Sequence, residues 1–385
     1  MAADYRIEFI DSLAAISAHD WNAVAGTDFP FTRHEFLYTL ERTRCADRDS
    51  GWQPQHLLVK HGERLVAVMP LYLKSHSYGE YVFDWSWANA YARHGIDYYP
   101  KLLCAIPFTP ATGPRLCVID SENRDAIAQK IIAALRERMA RDNLSSLHVL
   151  FPQPELRTAL INANLSERIG VQYHWFNDNY SCFDDFLATF NSRKRKNLRK
   201  ERARVAEQGL QLRLLEGEHI QAEHWHTFYR FYALTYAKRS GHSGYLNEDF
   251  FTAIGEQLSA HTVMVLAYLG DAAVAGALYF RDSHTLYGRY WGCVREYDYL
   301  HFEACYYQGI DYCIRRGLAH FDPGAQGEHK IQRGFTPIKT FSYHWIENNN
   351  FRAAIDDFLR REEHAVESHI EAAAELLPFK QDSER

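Results

Sequence analysis

The chain has 385 residues, 46% of them hydrophobic and 14% aromatic, and a net charge of −6. That is enough apolar material for two domains with cores of their own, and it excludes a disordered or fibrous protein. No stretch approaches the roughly 18 apolar residues of a membrane span, and the opening MAADYRIEFIDSLAAI lacks a basic region followed by an apolar core, so a cytoplasmic protein without signal peptide or transmembrane segment is expected. Cys45, Cys104, Cys117, Cys182, Cys293, Cys305 and Cys313 are scattered, odd in number and without a C-x-x-C pair, which fits reduced core thiols and not a disulfide framework or zinc ribbon.

In chain order, Thr32 is placed to cap a helix over RHEFLYTLERTR. QHLLVKHGERLVAVMPLYLK then reads as a hairpin turning at His61 and Gly62, and YGEYVFDWSW as an aromatic strand. After a section punctuated by proline come a helix from Arg124 to Arg141 and the strand LHVLF. Asp184 to Arg204 and Glu223 to Arg239 are helical in pattern. HTVMVLAYLGDAAVAGALYF repeats the hairpin with a turn at Gly270 and Asp271, followed by the strand TLYGRYWGC, a helix from Phe302 to Arg316 and a buried strand from Leu318 to Asp322. An amphipathic helix from Phe351 to about Leu377 trails it. The order hairpin, strand, helix, strand thus occurs twice, a tandem duplication with boundaries at 1–166, 167–350 and 351–385.

The second copy concentrates the reactive groups. Basic residues and then Gly317 close the helix from Phe302, and Pro323 and Gly324 end the strand, so the loop after it lies at a strand's carboxyl end, where α/β scaffolds place their sites. It holds Gln326, Glu328, His329, Lys330, Gln332 and Arg333. Group-transfer chemistry needs a base, stabilisation of developing charge and aligned partners. Glu328 or His329 would take a proton, and Lys330 and Arg333 would neutralise an oxyanion or phosphate. The simpler alternative is that Glu328 and Arg333 only pair to fix the loop. His301 and Glu303, at the helix entrance, are further candidates; capping, packing or complementing the helix dipole would equally explain them. Cys305 shares a face with Phe302 and Tyr306 and reads as a core thiol.

Elsewhere, RKRKNLRKERAR at Arg193–Arg204 has eight basic residues and one acidic. It is either a solvated helix face or a phosphate cradle in which Lys194, Lys196, Arg199 and Lys200 take part. In the first copy Arg93, Lys101 and Arg115 lie in an aromatic, proline-rich stretch suited to a binding groove or to covering a sheet edge. Tyr287, Arg289 and Trp291 alternate onto one strand face, as ligand contacts or around a cross-strand salt bridge. His219, His224 and His226 have no further ligand at a matching spacing, so no metal is expected.

The doubled order resembles the GNAT acyltransferase fold in tandem, as in FemAB-type peptidyl transferases. YYPKL at Tyr98–Leu102, IPFTPATGPR at Ile106–Arg115, LHFEACYYQ at Leu300–Gln308, GAQGEHK at Gly324–Lys330, Arg333 with Gly334, and SYHW at Ser342–Trp345 look like a family of predicted N-acyltransferases grouped under peptidoglycan biosynthesis. The resemblance covers nearly the whole chain. It implies an α/β (α+β) fold of tandem GNAT-like halves with mixed sheets plus a C-terminal helix, and acyl or aminoacyl transfer to the amine of a small molecule or cell-envelope precursor.

One departure bears on the donor. Coenzyme-A-dependent GNAT proteins carry a glycine-rich turn before the helix, whereas VREYDYLHFEACYYQ has no glycine from Val294 to Gln308. FemAB-type enzymes draw on aminoacyl-tRNA, and the missing glycines with the basic helix lean that way, although no long coiled-coil arm is present. Three classes stay open: a FemAB-type transferase using tRNA, an acyl-CoA-dependent N-acyltransferase with an atypical donor site, and a non-catalytic precursor-recognition module. None of them requires a tightly bound cofactor.

Overall fold

Gly62 and Gly270 occupy the left-handed region at φ 61° and 60°, and each closes an antiparallel hairpin: His56–His61 with Arg64–Met69, and Thr262–Leu269 with Ala272–Arg281. Both turns stand where the glycines place them, since a side chain there would be strained. Around each hairpin the computed structural model, which describes residues 5–380, builds one unit. The first extends to Gly170 and resumes at Lys339–Glu367; the second comprises Val171–Ile338 and resumes at Ser368. The sequence division at 166/167 and 350/351 is linear, whereas these units are not.

In the first unit, Tyr5–Ile10, His56–His61, Arg64–Met69 and Cys117–Val118 form a four-stranded sheet in that order. A second sheet runs from Thr336–Ile346, of which residues from Lys339 on belong to this unit, through Ser146–Leu150, Lys101–Cys104 and Tyr72–Lys74 to Trp52–Pro54. The helix Arg124–Arg141 begins where the Asn123 side chain accepts from the Ala126 N–H and buries Ile127, Ile131, Leu135 and Met139 at helical spacing. Each such side chain contributes about 1.5–3 kcal/mol by leaving water, which is what holds the helix on the sheet.

The second unit orders its strands Leu210–Glu216, Thr262–Leu269, Ala272–Arg281, Thr285–Cys293, His320–Asp322 and the latter part of Ser166–Phe176. Among these pairs only Thr285–Cys293 and His320–Asp322 run parallel, joined by the helix Leu300–Arg316. In the first unit Lys101–Cys104 and Ser146–Leu150 also run parallel, so the sheet is mixed in both units, and the fold is a tandem of GNAT-like units with the expected C-terminal helix, Asn349–Glu375.

Three local expectations change. Arg33, not Thr32, stands at the N-cap of His34–Arg42; Thr32 lies in the preceding 3-10 turn. YGEYVFDWSW is not a strand: irregular chain to Asp84 leads into the helix Trp85–Arg93, whose Trp87 and Tyr91, four apart, are buried. Aromatic β-propensity misled there, and the strand of the repeat is Lys101–Cys104 instead. Asp184–Arg204 is two helices, Phe183–Ala188 and Ser192–Glu207, broken at the point where the Asn191 side chain caps the second.

Candidate active site

Thr285–Cys293 pairs with His320–Asp322 only through Thr285, Leu286 and Tyr287. Pro323 and Gly324, the latter at φ 95°, then turn the chain away, and no strand pairs with Gly288–Cys293 on that side. A β-bulge coincides with the parting. Leu278 faces Tyr290 and Tyr279 faces Gly288, which leaves Arg289 as the extra residue. Side chains before and after a bulge fall on opposite faces, so Tyr287 and Trp291 do not share one as strict alternation predicts. Tyr287 donates to Asp282 at 2.6 Å, while Trp291 lines the opening.

The opening is walled by the crossover helix, whose Glu303–Tyr307 segment winds as a π-turn between Leu300–Phe302 and Gln308–Arg316. Such turns mark sites because they push one residue out of register. Two cavities meet here, both lined by Trp291 and His301. The larger, about 300 Å³, carries Lys238, Arg239 and Arg295 among Tyr297, Tyr299 and Phe302. The smaller, about 130 Å³, lies in the parted strands against Ala277, Tyr279, Gly288, Cys305, Tyr306 and Pro323. The His301 ring packs edge-on against Trp291 and Tyr306, and burial, followed by the neighbouring His329, pulls its pKa down to about 3. It is a neutral wall of the opening, packed as one of the sequence readings had it.

Arg289 forms a buried pair with Asp322, Nη1 to Oδ1 at 3.1 Å and Nη2 to Oδ2 at 2.6 Å. Burial alone would raise the Asp322 carboxyl, but Arg289 outweighs it and holds the group well below the usual range. The salt bridge entertained for Arg289 is thus what forms.

In the following loop Lys330 is 1% exposed and its Nζ donates to the Gly324 carbonyl at 2.6 Å. Burial, only partly offset by Asp322, lowers its pKa to about 8. His329 Nε2 shares a 2.8 Å hydrogen bond with the Tyr306 hydroxyl, and burial with Arg333 lowers its pKa to about 4. Glu328 and Gln326 are exposed on the loop, and Glu328 Oε1 stands 3.9 Å from His369 Nε2.

Arg333 does not pair with Glu328. Its Nη2 donates to both Glu201 carboxylate oxygens at 2.9 Å, Nε to the Tyr307 hydroxyl at 3.0 Å and Nη1 to the His329 carbonyl at 2.7 Å, with the guanidinium 3.4 Å above the Phe302 ring. Glu303, buried, accepts from Arg202 at 2.9 and 3.1 Å and from Gln308 at 2.8 Å. It therefore anchors the π-turn. Glu201 and Arg202 were not singled out from the sequence, although Glu201 is the one acid in the basic run and so signals an inward face.

The helix Ser192–Glu207 turns Leu198 and Val205 inward with that pair and leaves Arg193, Lys196, Arg199 and Lys200 exposed. Arg199 meets the exposed Asp184 at 2.7 Å, and Lys194 donates to Gln332.

In the first unit the equivalent opening is filled. Gly113 bridges Pro152, and Arg115, fully buried, donates Nε to the Leu150 carbonyl at 2.7 Å and Nη2 to the Ala111 carbonyl at 2.6 Å. Its partners are backbone carbonyls and not an anion, and burial lowers its pKa to about 10. Lys101 is equally buried, bonded to Ser77 at 3.0 Å, Glu80 at 2.9 Å and Asp84 at 2.5 Å. Neither side chain presents charge to a ligand, because the fold has supplied the acceptors. Arg93 alone of the three is exposed, at the end of its helix. Among the described residues no cluster of metal-ligating side chains occurs, and no helix is long and apolar enough to cross a membrane.

Two GNAT-like units, one with its strands parted around cavities and one with the gap closed, define a tandem acyltransferase-type fold. The family model for FemAB-like proteins, described as peptidoglycan biosynthesis/recognition, matches residues 12–381, and the chain belongs to that family. FemX is similar in structure over 89% of this chain and 98% of its own, at TM-score 0.53 and 13% identity. The C-terminal domain of a putative lysylphosphatidylglycerol synthetase from Agrobacterium fabrum matches over 90% and 97% at 0.50 and 12%. A conserved protein of unknown function from Bacteroides thetaiotaomicron matches over 88% and 99% at 0.50 and 12%. At these identities the likeness concerns the fold. No curated protein matches the sequence.

Proposed function

We propose that the second unit is an N-acyltransferase, moving an acyl or aminoacyl group from an ester or thioester carrier to the amine of a cell-envelope precursor. The observation that carries this is the pair of neighbouring cavities at the parted strands, the larger carrying Lys238, Arg239 and Arg295 and the smaller walled by Ala277, Tyr279, Gly288, Cys305 and Tyr306. Lys238, Arg239 and Arg295 would hold the phosphates of the carrier, and the open edge after Tyr287 would offer backbone groups to the acyl carbonyl. The amine nitrogen attacks the carbonyl carbon, the C–N bond forms, and the carrier oxygen or sulfur leaves. Glu328 and neutral His329, neighbours on the loop, and neutral His301, which lines both cavities, are the groups proposed to accept the amine's proton, and Lys330 supplies positive charge near Cys305.

Family membership supports a cell-envelope acceptor. The exposed Arg193, Lys196, Arg199 and Lys200 favour a polyanionic carrier, aminoacyl-tRNA, over acyl-CoA. The test is binding and turnover with alanyl-tRNA and acetyl-CoA over a range of salt. Changing Lys194, Lys196, Arg199 and Lys200 to Gln should weaken tRNA binding and flatten its salt slope; an unchanged slope returns that helix to a solvated face. Turnover of neither donor, with purified precursors present, would leave a recognition module.

A further inference from the structure

We infer that the smaller cavity is an acyl chamber that admits only short acyl groups of about six non-hydrogen atoms or fewer, with Gly288 and Cys305 setting its depth. This rests on the acyl-transfer reading above and goes beyond it by naming which acyl groups pass.

The size follows from volume. A cavity of roughly 150 Å³ holds one benzene, six heavy atoms, and this one is about 130 Å³. Acetyl, glycyl and alanyl fall within that number; octanoyl, lysyl and phenylalanyl exceed it. Enlargement is resisted on the sides formed by the strand and the crossover helix. Ala277, Leu278 and Tyr279 come from a strand paired on both its edges, and Tyr279 is anchored by its hydroxyl to the Ala304 carbonyl. Tyr306 is held by His329 at 2.8 Å.

Gly288 is the sharpest control point. A Cβ there would lie 3.3 Å from the Phe321 ring, 3.4 Å from Pro323 Cα and 3.5 Å from Tyr279, close enough to reduce the chamber yet far enough to fold. Cys305→Ala does the opposite by removing a sulfur from the wall.

The experiment follows carrier release from acetyl-, butyryl-, hexanoyl- and octanoyl-CoA and from alanyl- and phenylalanyl-tRNA, with melting curves for each variant. In the wild type, octanoyl and phenylalanyl donors should react at least about 10-fold more slowly than acetyl and alanyl ones, since one methylene too many is worth 10-fold or more in a filled pocket. Gly288→Ala should penalise butyryl against acetyl by a similar factor, and Cys305→Ala should relax the limit towards hexanoyl. Equal rates for long and short donors in the wild type, or an unaltered profile in both variants, would overturn the inference while leaving acyl transfer intact. If the wild type consumes no donor at all, the proposed function falls, and the chamber is then judged by tryptophan fluorescence with butyramide and octanamide. Quenching by butyramide alone, abolished in Gly288→Ala, sustains the size limit; absence of quenching overturns it.

Discussion

Replacing Lys330 with Met should make the protein more stable and less active at once. In the fold, burial lowers the Lys330 pKa from 10.5 to about 8, and each pKa unit corresponds to about 1.4 kcal/mol. Keeping the ammonium charged inside at neutral pH therefore costs about 3 kcal/mol. The hydrogen bond to the Gly324 carbonyl at 2.6 Å returns some of this, about 1 kcal/mol for a bond of this kind. The net expectation for Lys330→Met is a gain of about 2 kcal/mol at pH 7. A lysine with a depressed folded pKa sheds its proton first in the folded state, so wild-type stability should rise as pH climbs from 8 towards 10.5, and the variant's advantage should shrink over the same window. Urea denaturation of both proteins at pH 7 and pH 10 measures this. Turnover should move the other way: the variant should lose about 3 kcal/mol of barrier lowering if the charge serves the transition state, and wild-type rate should fall through pH 8 as the ammonium is lost. A variant that is less stable at pH 7, or an advantage that does not change with pH, would refute the burial argument; a wild-type rate indifferent to pH 8 would remove Lys330 from the chemistry.

Asp322→Asn leaves the Arg289 guanidinium buried without its anion and should cost about 3–5 kcal/mol in denaturation, far more than an apolar replacement of both partners. Glu328→Gln, at an exposed loop position, should leave the melting temperature unchanged; a rate loss of about 100-fold or more would identify it as the base, and a normal rate transfers that role to His329, tested by His329→Gln. Among the seven cysteines, Cys182 is the one classed as exposed. It should react with a thiol reagent in the native state well before the rest, and simultaneous labelling would contradict the packing.

The hairpins, the crossover helix and the trailing helix were legible because each is written locally: a glycine turn between alternating apolar residues, or apolar residues three and four apart. What escaped the sequence was set by contacts distant along the chain. Glu303 as an anchor depends on Arg202, 101 residues away, and Arg333 on Glu201, 132 away. The alternation of Tyr287, Arg289 and Trp291 failed because a bulge has no signature in the residues it displaces. Lys101 and Arg115 were read as lining a binding groove or covering a sheet edge; Glu80 and Asp84 satisfy one, and the carbonyls of Ala111 and Leu150 the other. The loop at Glu328–Arg333 was found because it crowds unlike reactive groups into a few positions, a pattern that survives without knowledge of partners.

The helix Ser192–Glu207 keeps two vocabularies on one rod. Glu201 and Arg202 face inward, where they fix Arg333 and the π-turn, while Arg193, Lys196 and Lys200 face outward and carry none of the ion pairs that hold the unit. The outward letters can be rewritten, to suit a longer, shorter or less charged carrier, without loosening the wall of the cavity behind them. Under the proposed function, carrier choice and acyl chemistry would be free to diverge separately, on opposite sides of the same four turns.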